Sequence, residues 1–180
     1  MTARFIAVVG PSGAGKDSLI DAARRTYGED GPIRFVRRAI TRPADAGGEA
    51  HEALTVEDFA TRAASGGFAL HWDAHGLSYG IPADIRETLV SGRSVLANLS
   101  RAAIPQLRQE FPDRRILVVT ASPTVLAGRL AARGRESAAE IEARLSRAPP
   151  EFPEGADVVT VVNEGPLEEA EQAFIAALQG

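Results

Sequence analysis

Short apolar runs rich in β-branched residues alternate, along almost the whole chain, with stretches whose apolar positions recur every three to four residues. The runs at 5–9, 33–37, 94–99, 116–120 and 158–162 carry apolar residues on both faces, as strands covered from both sides do. The helical period marks 16–27, 56–65, 85–91, 101–111, 123–133, 138–147 and 167–178. This alternation predicts an α/β domain of three layers, a parallel sheet between two layers of helices. Gly10 and Ser122-Pro123 stand where strand turns into helix, with Ser122 placed as an N-cap.

Two stretches break the rhythm. Residues 38–85 are rich in Gly, Pro and His, with strand-like pieces only at 68–72 and 77–79. That is too long for a connection, so an inserted subdomain of about 38–85 is expected, on a core made of 1–37 and 86–180. The polar turn Arg133-Gly134-Arg135-Glu136-Ser137 has the character of a lid over a phosphoryl-transfer site, at about 133–140. Arg147 to Pro153, with its three prolines, reads as an extended loop.

With 180 residues the chain is one domain with ample core. Its formal charge of −4 argues against nucleic-acid binding by bulk electrostatics, yet arginines cluster locally around Arg37 and around Arg129, the signature of anion sites. The absence of cysteine excludes disulfides and thiolate metal sites. No secretory leader and no run of eighteen apolar residues is legible, so a cytoplasmic protein with no membrane partner is expected.

The chemistry concentrates in Gly10-Pro11-Ser12-Gly13-Ala14-Gly15-Lys16, which matches the phosphate loop G-x-x-x-x-G-K and holds the only lysine of the chain. A strand precedes it and a helix follows, as that motif requires. Backbone N–H groups from Gly13 to Asp17 are expected to cradle the β-phosphate of ATP at a helix N-terminus, and Lys16 to follow the migrating charge. The loop departs from its pattern at Asp17, where Ser or Thr normally ligates Mg²⁺. A carboxylate is a hard oxygen donor, so Asp17 is the candidate metal ligand. Ser18 closes the stretch assigned to the nucleotide but is turned about 100° from Asp17 around the helix.

The same loop resembles that of guanylate kinases, and further blocks follow in the family's order. Thr41-Arg42-Pro43 with Gly48-Glu49, Phe68 to Trp72, Ser78 to Pro82, Arg129-Leu130 with Arg133-Gly134, Ile141 with Arg144-Leu145, and Val161-Val162-Asn163 all look like family segments. The resemblance implies the P-loop kinase fold with an acceptor-binding insertion and a lid. It implies Lys16, Arg133 and Arg144 as catalytic residues, Asn163 beside the adenine, and Arg42 and Tyr79 on the acceptor.

The departures fall where guanine would be read. Asp45 stands in place of a second arginine, Ala50-His51-Glu52-Ala53 replaces the block with the phosphate-binding tyrosine, His71 replaces a glutamate, and an aspartate near Asn98 is missing. This pattern is similar to the ribose 1,5-bisphosphate phosphokinases of bacterial phosphonate breakdown, which implies a sugar-phosphate acceptor and 5-phosphoribosyl 1-diphosphate as product. A bisphosphate calls for several cations, and Arg37, Arg38, Arg42 and Arg101 supply them, with His51, His71 and His75 as polar lining. Trp72 reads as core. No general base is needed, because a phosphate oxygen is already anionic.

Two other readings compete. A nucleoside-monophosphate kinase acting on GMP would turn over GMP, and the missing guanine contacts speak against it. A non-catalytic interaction module would carry a degraded phosphate loop, whereas Lys16 and the lid arginines are intact.

Overall fold

Strand β1 (Phe5–Val9) is fully buried and forms the middle of a five-stranded sheet. The computed structural model describes residues 3–45, 49–132 and 152–180. β1 pairs in parallel with β7 (Ser94–Asn98) and β8 (Arg114–Thr120), while β2 (Ile33–Phe35) adds to β7 and β9 (Val158–Val162) to β8. The order is β2-β7-β1-β8-β9, parallel throughout. Parallel strands need crossovers, and the helices supplying them cover both faces.

Side-chain alternation divides the core. Phe5, Ala7 and Val9 join Val95, Ala97, Ile116 and Val118 beneath Ile104 and Leu107 of α4 (Ile104–Glu110). Ile6 and Val8 face the other way, with Leu19 and Ala23 of α1 (Lys16–Tyr27), Leu126 of α5 (Pro123–Ala132), and Phe174 and Leu178 of α6 (Leu167–Gln179). These are the three layers expected from the pattern.

Between β2 and β7 the chain forms a second sheet, ordered β4 (Glu52–Ala53), β3 (Ala39–Ile40), β6 (Leu77–Pro82) and β5 (Phe68–Ala74). One face, with Leu70, Trp72 and Ile81, merges into the core cluster around Phe5 and Val9. Phe59 of α2 (Val56–Ala64) covers the other face and stacks on Phe68 at 4.6 Å between ring centroids. Helix α3 (Ile85–Val90) returns the chain to β7.

Observed element limits differ from the sequence pattern in instructive places. β2 stops at Phe35 because Arg37 and Arg38 leave for the second sheet. The helix expected from 101 opens as a 3₁₀ turn, Arg101–Ala103, capped by Ser100 Oγ accepting from the Ala102 N–H at 3.3 Å. The two-residue strands β3 and β4 carry no periodic signal. The helix expected at 138–147 and the lid at 133–140 lie outside the described residues.

An ion cluster ties α4 to the start of β9. Asp157 accepts from Arg108 Nη2 at 2.9 Å and Arg108 Nε at 3.1 Å, and from Arg114 Nε at 2.7 Å. The two bonds from Arg108, then the one from Arg114, hold its carboxyl below the usual carboxylate range. A depressed pKa contributes stability above the unfolded value, and that contribution is lost as pH falls through the folded value. Asp157→Asn is therefore expected to cost about 2 kcal/mol near neutrality. Thermal melts from pH 7 down to about pH 3 check this, since the gap between parent and variant should close as the parent's carboxylate protonates.

Candidate active site

The C-terminal ends of β1, β7 and β9 converge on one edge of the main sheet, where ligands of open α/β sheets bind. From β1 the chain passes through Gly10, where a side chain would run into the Val119 carbonyl of β8. It enters α1 at Gly15, whose φ of 90° lies in the left-handed region and whose missing Cβ leaves room for the Asn163 amide. Gly15 is the N-cap of α1, and no side chain caps the helix there. The first-turn N–H groups and the positive end of the helix dipole are thus offered to an anion.

Lys16 lies back on its loop, with Nζ donating to the Gly10 carbonyl at 2.9 Å and the Pro11 carbonyl at 3.1 Å. Asn163 follows the last residue of β9 and is 2% exposed; its Nδ2 donates to the Ala14 carbonyl at 2.8 Å. The residue expected beside the adenine therefore holds the phosphate loop from beneath. Arg129 Nη2 donates to Asn163 Oδ1 at 3.5 Å, and Arg129 Nη1 is buried without a partner among the described residues. An arginine with a spare buried donor beside a phosphate loop suits an anionic ligand. Ser12, Asp17 and Ser18 are exposed on the loop and the first turn of α1, while Gly13 and Ala14 are buried.

A polar relay runs from this loop to the second sheet. Asn98, the last residue of β7, donates through Nδ2 to Asp17 Oδ1 at 3.3 Å and to Glu49 Oε2 at 2.8 Å. Glu49 Oε1 accepts from Arg38 Nε at 2.6 Å, in a pair with side chains only 19% and 12% exposed. The Arg38 guanidinium lies 5.0 Å above the Tyr79 ring and 5.9 Å from that of Trp72, and these two rings stack at 5.4 Å. Trp72 and Tyr79 face each other across the β5–β6 pair, so their side chains share a face.

Arg42 stands at the edge of this cluster, with Nη2 3.3 Å from His51 Nδ1 and Nε buried without a partner among the described residues. Arg37 is exposed and donates to the His51 carbonyl at 2.6 Å.

The guanylate kinase family model matches residues 2–179. This chain belongs to the guanylate kinase family. It is 48% identical to a ribose 1,5-bisphosphate phosphokinase of Rhizobium etli over 98% of this chain and 89% of that protein. It is 50% identical to a bifunctional ribose 1,5-bisphosphokinase-thymidine phosphorylase of Azorhizobium caulinodans, over 97% of this chain but 25% of that longer protein. The guanylate kinase of Anaplasma phagocytophilum has the same fold, with a TM-score of 0.68 at 17% identity over 99% of this chain and 85% of that one.

Not every residue expected in this guanylate kinase-type site comes to it. His71 sits on the face of β5 opposite Trp72, its ring 6.5 Å from Phe59 and 6.4 Å from Phe68, so it is not brought to the Arg38–Tyr79 cluster. Strand alternation is the reason, since neighbours in β5 point to opposite faces. His75 is exposed in the β5–β6 turn at φ 53°. Arg101 is exposed three residues after Asn98, its guanidinium 6.0 Å from the Phe152 ring. Arg133, Arg135, Arg144 and Arg147 lie outside the described residues.

Sequence reasoning did not single out Glu49 or Asn98 as members of the site, and it marked Arg129 only within an arginine cluster. Glu49 was legible only as part of a Gly-Glu pair, and nothing local places it against Asn98, 49 residues away. Trp72 is core, as expected, but it also forms the floor under Tyr79 and Arg38.

Proposed function

We propose that the chain is an ATP-dependent kinase of ribose 1,5-bisphosphate, moving the γ-phosphoryl group of ATP onto the 1-phosphate to give 5-phospho-α-D-ribosyl 1-diphosphate and ADP. The observation that carries this reading is near-full-length identity of 48% to a kinase bearing that name. The site geometry supports it, with Arg38, Arg42 and Tyr79 gathered across a short polar relay from the phosphate loop.

An oxygen of the 1-phosphate attacks the γ-phosphorus, the bond to the β–γ bridging oxygen breaks, and ADP leaves with that electron pair. No proton must move, so the residues act by positioning and charge. The first turn of α1 holds the β-phosphate and Lys16 leaves the loop carbonyls to meet the γ-phosphoryl. Arg38 and Arg42 hold the acceptor, and Tyr79 donates its hydroxyl to it. On this reading Arg133 and Arg144, which lie outside the described residues, add cationic charge to the transferred phosphoryl group.

Mg²⁺ supplies neutralisation of the phosphate oxygens. Among the described residues no group of three or more His, Cys, Asp or Glu is arranged to hold a metal. That fits a cation kept mainly by phosphates and water with one or two carboxylates. Asp17 is the residue that would hold it. Asp17→Ala removes a ligand but also a negative charge next to the β-phosphate. Titration calorimetry is expected to show Mg²⁺-free ATP binding about three- to tenfold tighter while the Mg²⁺ needed for half-saturation rises by a similar factor. Equal Mg²⁺ requirements in both proteins would remove Asp17 from the metal.

No described helix is long and apolar enough to cross a membrane. The deciding experiment compares ATP consumption with ribose 1,5-bisphosphate and with GMP. Turnover of the sugar bisphosphate is expected; turnover of GMP alone would overturn the acceptor assignment and leave the fold and loop standing.

A further inference from the structure

His51 is 3% exposed, and each of its ring nitrogens meets a backbone carbonyl: Nε2 lies 3.0 Å from the Arg42 oxygen and Nδ1 3.0 Å from the Glu49 oxygen. These two carbonyls belong to the residues that flank 43–48 and bear the Arg42 and Glu49 side chains of the site. Carbonyl oxygens only accept, and a neutral imidazole has one N–H, so a neutral ring satisfies one of them while the cation satisfies both. The third neighbour sharpens the choice, because Arg42 Nη2, itself a donor, lies 3.3 Å from the same Nδ1.

Two arrangements follow. In the neutral ring Nε2–H donates to the Arg42 carbonyl, and Nδ1 accepts from the Arg42 guanidinium. In the imidazolium Nδ1–H donates to the Glu49 carbonyl and the Arg42 guanidinium is released. The charged groups around the ring are Arg42, Arg37 through its bond to the His51 carbonyl, and Glu49, whose carboxylate is paired with Arg38 and Asn98.

We propose that His51 is the positioning residue of the acceptor site: its ring ties the Arg42 and Glu49 backbones together, and its protonation passes the Arg42 guanidinium from the ring to the acceptor's phosphate. This rests on the acceptor assignment above. It makes acceptor binding draw in a proton, and it makes acceptor affinity, not ATP affinity, depend on the state of His51.

The test measures KM for acceptor and for ATP from about pH 5.5 to 8.5, the range in which imidazoles titrate, in the parent, H51F and H51Q. The parent-to-variant ratio at each pH cancels the titration of the acceptor's own phosphates. H51F is expected to raise the acceptor KM about tenfold at the acid end, with a smaller effect at the alkaline end. H51Q, which keeps a donor near the Nε2 position, should recover part of the acceptor KM but none of the pH-dependent ratio. Calorimetry in buffers of different ionisation enthalpy should show proton uptake on acceptor binding that both variants lack. A ratio constant across pH, or an ATP KM that rises as much as the acceptor KM, overturns the proposal. If H51F does not fold, H51Q and H51N carry the same comparison. Should the parent ignore ribose 1,5-bisphosphate but turn over GMP, the same ratio is read with GMP, so the two failures stay distinct.

Discussion

The Lys16→Ala variant is expected to turn over about a thousandfold more slowly than the parent while keeping its fold. Its ammonium is the only lysine charge of the chain, and it rests on two carbonyls of its own loop, 2.9 and 3.1 Å away, from which it can follow the moving phosphoryl group. Gly10 and Pro11 are only partly buried, so the bonds lost there are expected to cost little stability. Asn163, Gly10 and Gly15 still hold the loop in place. Single-turnover kinetics with a thermal melt separates the two effects. Retained turnover would take Lys16 out of the reaction, and a collapsed melt would show that it holds the loop together.

The Arg38→Ala variant should lose about a hundredfold to a thousandfold in kcat/KM for the acceptor, from two charge-assisted contacts and the stacking beneath them. The change also leaves the Glu49 side chain, only 19% exposed, without its cation, which adds about 1 kcal/mol or more of instability. Arg38→Lys keeps the charge but not the planar group that lies on Tyr79, so it should recover only part of the loss. The comparison with Glu49→Gln is informative. If Arg38 binds the acceptor directly, removing its resting partner should harm the reaction less than removing Arg38 itself. Equal losses in both variants would mean that the ion pair, and not the guanidinium, is what the site requires.

Most of the core architecture was legible because its causes are local or periodic. The limits of β1, α1 and β9 coincide with the apolar patterns, since a strand buried on both faces and an amphipathic helix each leave an unambiguous trace. The phosphate loop was legible for the same reason: its glycines, lysine and helix start are consecutive residues, and their conformation is set within one turn of chain. Asp17 could be singled out by its departure from that local rule.

What the second sheet does could not be read this way. β3 and β4, two residues each, exist only because β6 and the core beneath offer them partners. His71 and Trp72 are adjacent and polar-tipped, and which one faces the site depends on the register of β5 on β6, since a slip of one residue would exchange their faces. The relay Arg38–Glu49–Asn98–Asp17 joins three separate segments across up to 81 residues of sequence, and the His51 clamp is defined by backbone carbonyls that have no identity in a sequence. The chain pattern alone determined the three-layer fold, the glycine-rich loop with its lysine ahead of α1, and the arginine-rich character of the segment from Arg34 to Arg42. Tertiary structure decided which of those cations are paired, which histidine is buried among them and which face of the small sheet they occupy, because burial, pairing and register are properties of segments brought together and not of any segment alone.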